Sequence, residues 1–303
     1  MTRRQSDVPS LQARGLVRHF GGLRAVDGVD LAVPPGEVTA VIGPNGAGKS
    51  TLFHCLAGAQ RPDEGRIRLG ERDITRLADH RRARLGIART FQVVSVFPSL
   101  TVADNLRVGA ENRTGASATA RLLGLPDAAR GRTRTAVEAA LELVGLTELR
   151  DVRCGELPTG TLRLVELGRA LASRPSVLLL DEPASGLDDT ETGRLRVLLR
   201  GLADDGLAVL LVEHDMELVF GVADSVHVMA AGRIVASGPP EQVRENEAAR
   251  AAYLDPVTGD AHGAADEPPS PSPRPPDDED PRPLGVRGSQ PPDEQGTPRD
   301  GER

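Results

Sequence analysis

Gly43-Pro44-Asn45-Gly46-Ala47-Gly48-Lys49-Ser50-Thr51 is the stretch with the plainest chemistry in the chain. It fits G-x-x-x-x-G-K-[ST], in which a glycine-rich turn points several backbone N–H groups at one anion. A helix opening at the end of the turn adds its positive N-terminal end. Lys49 then reaches the β- and γ-phosphates of a nucleotide, and the Ser50 hydroxyl holds Mg²⁺. Lys49 is the only lysine in the chain; its other fixed cations are arginines. A compact ammonium is kept at the one place where a planar guanidinium would serve less well.

A second group of polar residues falls at the ends of apolar runs. Val177-Leu178-Leu179-Leu180 ends in Asp181-Glu182. Adjacent carboxylates closing a buried strand need a partner, because unpaired buried acids are costly. Mg²⁺ is such a partner for Asp181, and Glu182 then orients and activates a water. Leu207 to Val212 ends in Glu213-His214-Asp215, which puts His214 at the carboxyl end of a strand, where α/β ligand sites form. Three further places stay open on local grounds. Phe20 is either a core ring or a platform for a purine. Leu157-Pro158-Thr159-Gly160-Thr161 is either a plain helix cap or a second anion site. Gln92, after the strand-like Arg89-Thr90-Phe91, has no locally arguable role.

The elements that must position these residues are legible in the hydrophobic pattern. Val38 to Ile42 is an apolar, β-prone run before the glycine turn, and Thr51 to Ala57 is helical after it. Leu11 to Val33 alternates as short strands around Gly21-Gly22, and Arg66 to Leu69 reads as another strand. Thr101 to Ala110 reads as a helix start, with Thr101 as N-cap and Asp104 at N3. Glu111 to Ala118 reads as a loop, Thr133 to Val144 as a helix ended by Gly145, and Leu162 to Ser173 as a helix. The segment from about 93 to 155 is therefore mainly helical, unlike the β-rich segments before it. Ser185-Gly186-Leu187-Asp188 is a turn.

Composition narrows the class. The chain has 303 residues, no Trp and few aromatics, so its core is built from Leu, Val, Ile and Ala. Cys55 and Cys154 have no metal or disulfide spacing and read as buried apolar side chains in a reducing compartment. No run approaches the ~20 apolar residues of a membrane span, and residues 1–10 are polar and flexible, without a leader pattern. From Pro256 onward there are eleven acidic and five basic side chains and half of the 24 prolines. Most of the formal charge of −7 belongs to that stretch, so 256–303 reads as a disordered acidic tail. The remaining body is nearly neutral, which argues against nucleic acid as a partner.

Taken in order, these motifs resemble the ATP-binding subunit of ABC transporters over about residues 10 to 254. The resemblance implies an α/β fold: a RecA-like P-loop NTPase core, an antiparallel β subdomain and an inserted helical subdomain at about 93–170, all within 11–255. It implies ATP and Mg²⁺ as ligands. It places Phe20 at the adenine-stacking position, Gln92 at the position that senses the metal and the attacking water, and His214 at the γ-phosphate. Ser185, Gly186, Leu187 and Asp188 match the loop that touches the opposite subunit of a head-to-tail dimer. His19-Phe20-Gly21-Gly22-Leu23-Arg24-Ala25-Val26-Asp27, Arg89-Thr90-Phe91-Gln92, Glu213-His214-Asp215-Met216 and the long insert between Leu106 and Leu146 look like the branched-chain amino acid importer branch. The family's Leu-Ser-Gly-Gly-Gln is here Leu157-Pro158-Thr159-Gly160-Thr161. Pro158 lacks both the hydroxyl and the N–H of a Ser, and Thr161 replaces the amide, while Gly160 and the helix N-terminus remain.

The resemblance leads to an expected function: an ATP-hydrolysing subunit of an importer, bound to membrane permease subunits on the inner face of the membrane. Two ATPs lie between the phosphate loop of one subunit and residues 157 to 161 of a second ATP-binding subunit, in a homo- or heterodimer. Glu182 acts as base, and Ser50, Gln92 and Asp181 serve the metal. An extracytoplasmic substrate-binding protein joins through the permease. Val93 to Leu100 is apolar enough to line the docking groove. The altered 157–161 segment motivates the rival reading, a low-activity regulatory subunit paired with a second ATPase.

Overall fold

The computed structural model describes residues 10–90, 94–114 and 128–254. The chain divides after Thr258, and all described residues lie in the first unit; the acidic stretch from 256 lies outside them.

Two sheets carry the unit. Strands β1 (Leu11–Phe20), β2 (Leu23–Val33), β4 (Glu64–Leu69) and β5 (Arg72–Asp73) form an antiparallel sheet in the order β2-β1-β4-β5. The β1–β2 pair is one long hairpin about Gly21-Gly22, not several short strands, and its register is shifted at three places. The second sheet holds β3 (Val38–Ile42), β6 (Ile87–Arg89), β7 (Val177–Asp181), β8 (Ala208–Val212), β9 (Ser225–Ala230) and β10 (Arg233–Gly238). Its order is β10-β9-β3-β8-β7-β6, parallel throughout except for the edge strand β10.

Every residue of β3, β7 and β8 is buried. Such unbroken apolar runs suit central parallel strands covered on both faces. The pleat divides them by parity. Ala40, Leu178, Leu180, Val209 and Leu211 face one core with the helices that follow residue 100. Val41, Leu179, Leu210 and Val212 face the other, with β1, β2 and helix α1 (Lys49–Ala57). The functional loops leave these strands at their carboxyl ends.

Helices α2 (Asp79–Arg84), α3 (Val102–Thr114), α4 (Ala128–Leu143) and α5 (Thr159–Ala172) lie between β5 and β7 in sequence. Thr101 caps α3 as the sequence suggests: its Oγ1 accepts the Asp104 N–H at 3.1 Å and donates to Asp104 Oδ2 at 2.9 Å. Gly145 ends α4 in the left-handed region, at φ 69°. Two expectations are corrected. Glu111–Thr114 is the last turn of α3 and not loop, the helix continuing because each added residue's N–H pairs with a carbonyl four residues back; 115–118 lies outside the described residues. Helix α5 starts at Thr159, three residues before the apolar stripe that marks it in the sequence. Helix α6 (Asp189–Asp204) opens on a full capping box, Asp188 accepting from Glu191 N–H at 2.8 Å and Glu191 accepting from Asp188 N–H at 3.1 Å. Helices α7 (Met216–Val222), α8 (Pro240–Glu245) and α9 (Glu247–Leu254) complete the unit.

Both cysteines are buried and free. Burial pushes the Cys55 thiol up to about 11, so it behaves as an apolar filler.

Candidate functional site

Gly43 to Gly48 joins β3 to α1, and two of its glycines are fixed by backbone on the far side. A Cβ on Gly43 would stand 2.1 Å from the Met229 carbonyl oxygen, and one on Gly48 would stand 2.0 Å from that of Ala25. At Gly46, φ 78°, nothing lies within 4 Å of such a Cβ. The loop is thus wedged from behind and open in front. Lys49 is folded back along it, its Nζ donating to Gly43 O at 2.7 Å and Pro44 O at 3.0 Å. Burial lowers the Lys49 ammonium's affinity for its proton, and the carboxylates of Glu182 and Asp181 oppose that shift.

Those carboxylates stand at the end of β7. Asp181 is buried, and its pKa is pushed up to about 6, first by burial, then by the charge of Glu182, with Lys49 pulling the other way. Its N–H donates to Thr90 Oγ1 at 3.3 Å. Glu182 adopts φ 47°, a left-handed conformation rare for a residue with a side chain, while its N–H donates to Val212 O at 2.9 Å. His214, at the end of β8, brings its Nδ1 to 3.9 Å from Glu182 Oε1 and 3.6 Å from Glu213 Oε2.

Glu213 is a positioning residue that the sequence does not single out. It is fully buried, and its carboxylate accepts N–H bonds from Ala184 at 2.9 Å, His214 at 2.9 Å and Asp215 at 3.3 Å. One side chain thus ties the turn after Glu182 to the turn carrying His214. Its place beside His214 after an apolar strand was the available signal. Thr90 had no such signal, since its hydroxyl meets Asp181 only through strand pairing between β6 and β7.

The structure brings Phe20, Asn45 to Thr51, Glu182 and His214 into one open cleft of about 790 Å³, with Ala231 and Gly232 on its rim. Phe20 is no core ring: it is 43% exposed at the end of β1, with the Arg18 guanidinium 4.9 Å from its centroid. Leu157 to Thr161 does not line that cleft. Pro158 is the N-cap of α5 without a side-chain cap bond, and Thr159, Gly160 and Thr161 form the helix's first turn. Of the two local readings, helix cap or second anion site, the structure shows the segment as the start of α5, with a Pro at the cap that has no side-chain group to bond the first N–H groups. Ser185 to Asp188 is adjacent through Glu191, whose carboxylate oxygens would lie 2.8 Å from a Cβ on Gly160. Gln92 and Val93 lie outside the described residues.

A separate groove of about 410 Å³ runs between α1, α2 and the helices α3 and α5, and Ser95, Phe97, Asp79, Arg89 and Arg169 line it. Phe97 is 47% exposed there, with Arg169 5.7 Å from its ring centroid.

Among the described residues no three His, Cys, Asp or Glu side chains form a metal cage. A buried carboxylate and a hydroxyl at the phosphate loop are nonetheless a fitting donor set for Mg²⁺, which takes few protein ligands and completes its shell with water and phosphate oxygens.

Comparison with known proteins gives the chain's relatives. Residues 26–185 match the ABC transporter family, and residues 233–254 match the family described as branched-chain amino acid ATP-binding cassette transporter. The chain is 43% identical over 250 residues to the high-affinity branched-chain amino acid transport ATP-binding protein BraF of Pseudomonas aeruginosa, covering 81% of this chain and 98% of that one. It is 39% identical to the corresponding protein LivG of Escherichia coli, with the same coverage. Among solved structures it is similar to a nucleotide-free ATP-binding cassette from an ABC transporter, with TM-score 0.69, 33% identity, and 81% and 98% of the two chains covered. It is also similar to an ATP-binding cassette in its ADP conformation, with TM-score 0.70, 32% identity, and 82% and 99% covered.

Proposed function

The chain belongs to the ATP-binding subunits of ABC transporters, and on that premise we propose that it powers an importer for branched-chain or related amino acids. The observation that carries the reading is the single cleft shared by the glycine loop, Phe20, Glu182 and His214.

In this reading ATP enters with its base on Phe20 and its phosphates on the Gly43–Thr51 loop. Lys49 turns from the Gly43 and Pro44 carbonyls to the β- and γ-phosphates, which replaces two neutral acceptors by charged ones. Ser50 and Asp181 would hold Mg²⁺, with Gln92 as the third group serving it; bound there, the ion would offset charge on the phosphate oxygens. The Glu182 carboxylate takes a proton from the water whose oxygen attacks the γ-phosphorus, and ADP leaves. His214, held by Glu213 on one side and facing Glu182 on the other, stabilises the developing charge. Leu157 to Thr161 of a second subunit covers the γ-phosphate with the N-terminus of its α5, and Ser185 to Asp188 meets that subunit.

No helix among the described residues is long and apolar enough to cross a membrane. The groove at Phe97 is the surface offered to permease subunits, which seat the chain on the inner face of the membrane and connect it to a substrate-binding protein outside. Co-expression tests this. The chain is expected in the membrane fraction when a permease pair encoded beside it is present and in the soluble fraction otherwise. A distribution indifferent to the permease contradicts the reading.

The rival, a low-activity regulatory subunit, draws on Pro158, which offers neither hydroxyl nor N–H at the start of α5. It predicts nucleotide binding with turnover appearing only after a second, different ATP-binding subunit is added.

A further inference from the structure

Asn105 stands in the first turns of α3, fully buried. Its side chain is not in the groove and not in the nucleotide cleft. Oδ1 accepts the Phe97 N–H at 2.9 Å, and Nδ2 lies within donating distance of Phe97 O at 3.1 Å, Thr101 O at 3.0 Å and Cys154 Sγ at 3.1 Å. A side-chain amide offers a donor and an acceptor side by side in one plane. It therefore grips both backbone polar groups of Phe97, the exposed ring of the groove.

The same turn is bonded to the residues that lead into α5. Gly155 N–H donates to Pro98 O at 2.9 Å, Cys154 N–H to Leu100 O at 3.0 Å, and Leu157 N–H to Cys154 O at 3.1 Å. Closing the turn at Phe97 needs only the bonds to Phe97 and Thr101. The contact with Cys154 reaches across 49 residues of sequence to the other segment. Helices α3 and α5 are also in close backbone approach, since a Cβ on Gly109 would lie 2.0 Å from Arg169 O. A push on Phe97 thus has a short hydrogen-bonded path to Leu157.

We propose that Asn105 is a positioning residue that passes the state of the groove at Phe97 to the Leu157–Thr161 segment, so that permease contact sets the rate of hydrolysis. The inference rests on the groove being the permease site. Asn105→Ala removes all four contacts. Cys154→Ala removes only the sulfur acceptor, and Cys154→Ser restores an acceptor at that place.

The test measures ATPase activity and membrane retention of the full chain with and without a co-expressed permease pair. Asn105→Ala is expected to keep its retention and to keep basal turnover within about twofold, while stimulation by permease falls roughly tenfold, a usual size for coupling between sites. Cys154→Ala loses part of the stimulation, and Cys154→Ser regains it. A retained Asn105→Ala variant stimulated as fully as wild type overturns the inference alone. A wild-type chain that ignores the permease overturns the docking reading and this inference with it. Should Asn105→Ala fail to fold, amide exchange of the wild-type chain decides. Permease is expected to slow exchange in 154–161 together with 95–100; protection confined to 95–100 overturns the inference.

Discussion

Glu182 is held at φ 47°, a conformation that costs a residue with a Cβ about 1–3 kcal/mol. The strain aims its carboxylate into the cleft, beside His214. Glu182→Gly is therefore expected to raise stability by roughly 1 kcal/mol while abolishing hydrolysis. Denaturant midpoints and turnover on one preparation check both halves. Glu182→Gln keeps the shape and removes the base of the proposed mechanism: ATP affinity is expected to stay near wild type and turnover to fall by about 10²-fold or more. Asp181 makes a pH prediction. Its folded value of about 6 lies above the ordinary 3.8, so between these the folded protein holds a proton that the unfolded chain has released. Ligand-free stability contributed by this group is present at low pH and is lost as pH rises through about 6. Asp181→Asn is accordingly more stable than wild type at neutral pH, with the two converging in acid. Thermal melts at both pH values test it, and parallel curves contradict it.

At the scale of elements, the phosphate-loop helix is anchored at its far end by Arg82 on α2. The guanidinium is 1% exposed and donates to Leu77 O, Cys55 O, Leu56 O and Thr75 O at 2.7 to 3.1 Å. Two of those carbonyls belong to the last turn of α1, where a cation is favoured. Arg82→Met leaves them unpaired and is expected to cost about 3 kcal/mol in denaturant unfolding, with Arg82→Lys restoring little, because an ammonium lacks the reach of the fork. This element-level wiring is what the sequence hides. The glycine loop, the β7 carboxylates and His214 are legible because each is a local pattern: an apolar run followed by a polar end. Arg82 is one arginine among many in a polar stretch, and only the fold brings it to α1. Glu213 and Asn105 are likewise local in sequence and long-range in effect. The start of α5 is misread for a related reason. Thr159, Gly160 and Thr161 are poor helix formers, and the helix begins there because the preceding Pro158 supplies the turn and Gly160 fits against Glu191. Glu111–Thr114 is polar like a loop, yet it continues α3, since backbone pairing four residues back does not depend on apolar side chains.

At the scale of the whole molecule, the cleft has one wall. Phe20, the glycine loop, Glu182 and His214 gather at the carboxyl ends of β3, β7 and β8, while Leu157–Thr161 lies elsewhere on the chain. In the proposed reading a second ATP-binding subunit completes the site, and where that subunit is another copy of this chain, turnover follows the paired fraction. This gives the central claim its most direct measurement: steady-state ATPase rate per chain as a function of chain concentration, without permease. The account predicts a specific rate that climbs with concentration and levels off on the order of 1 s⁻¹. A specific rate independent of concentration would contradict the shared site, and nucleotide binding with no turnover at any concentration would favour the rival, in which a different ATP-binding subunit must be added.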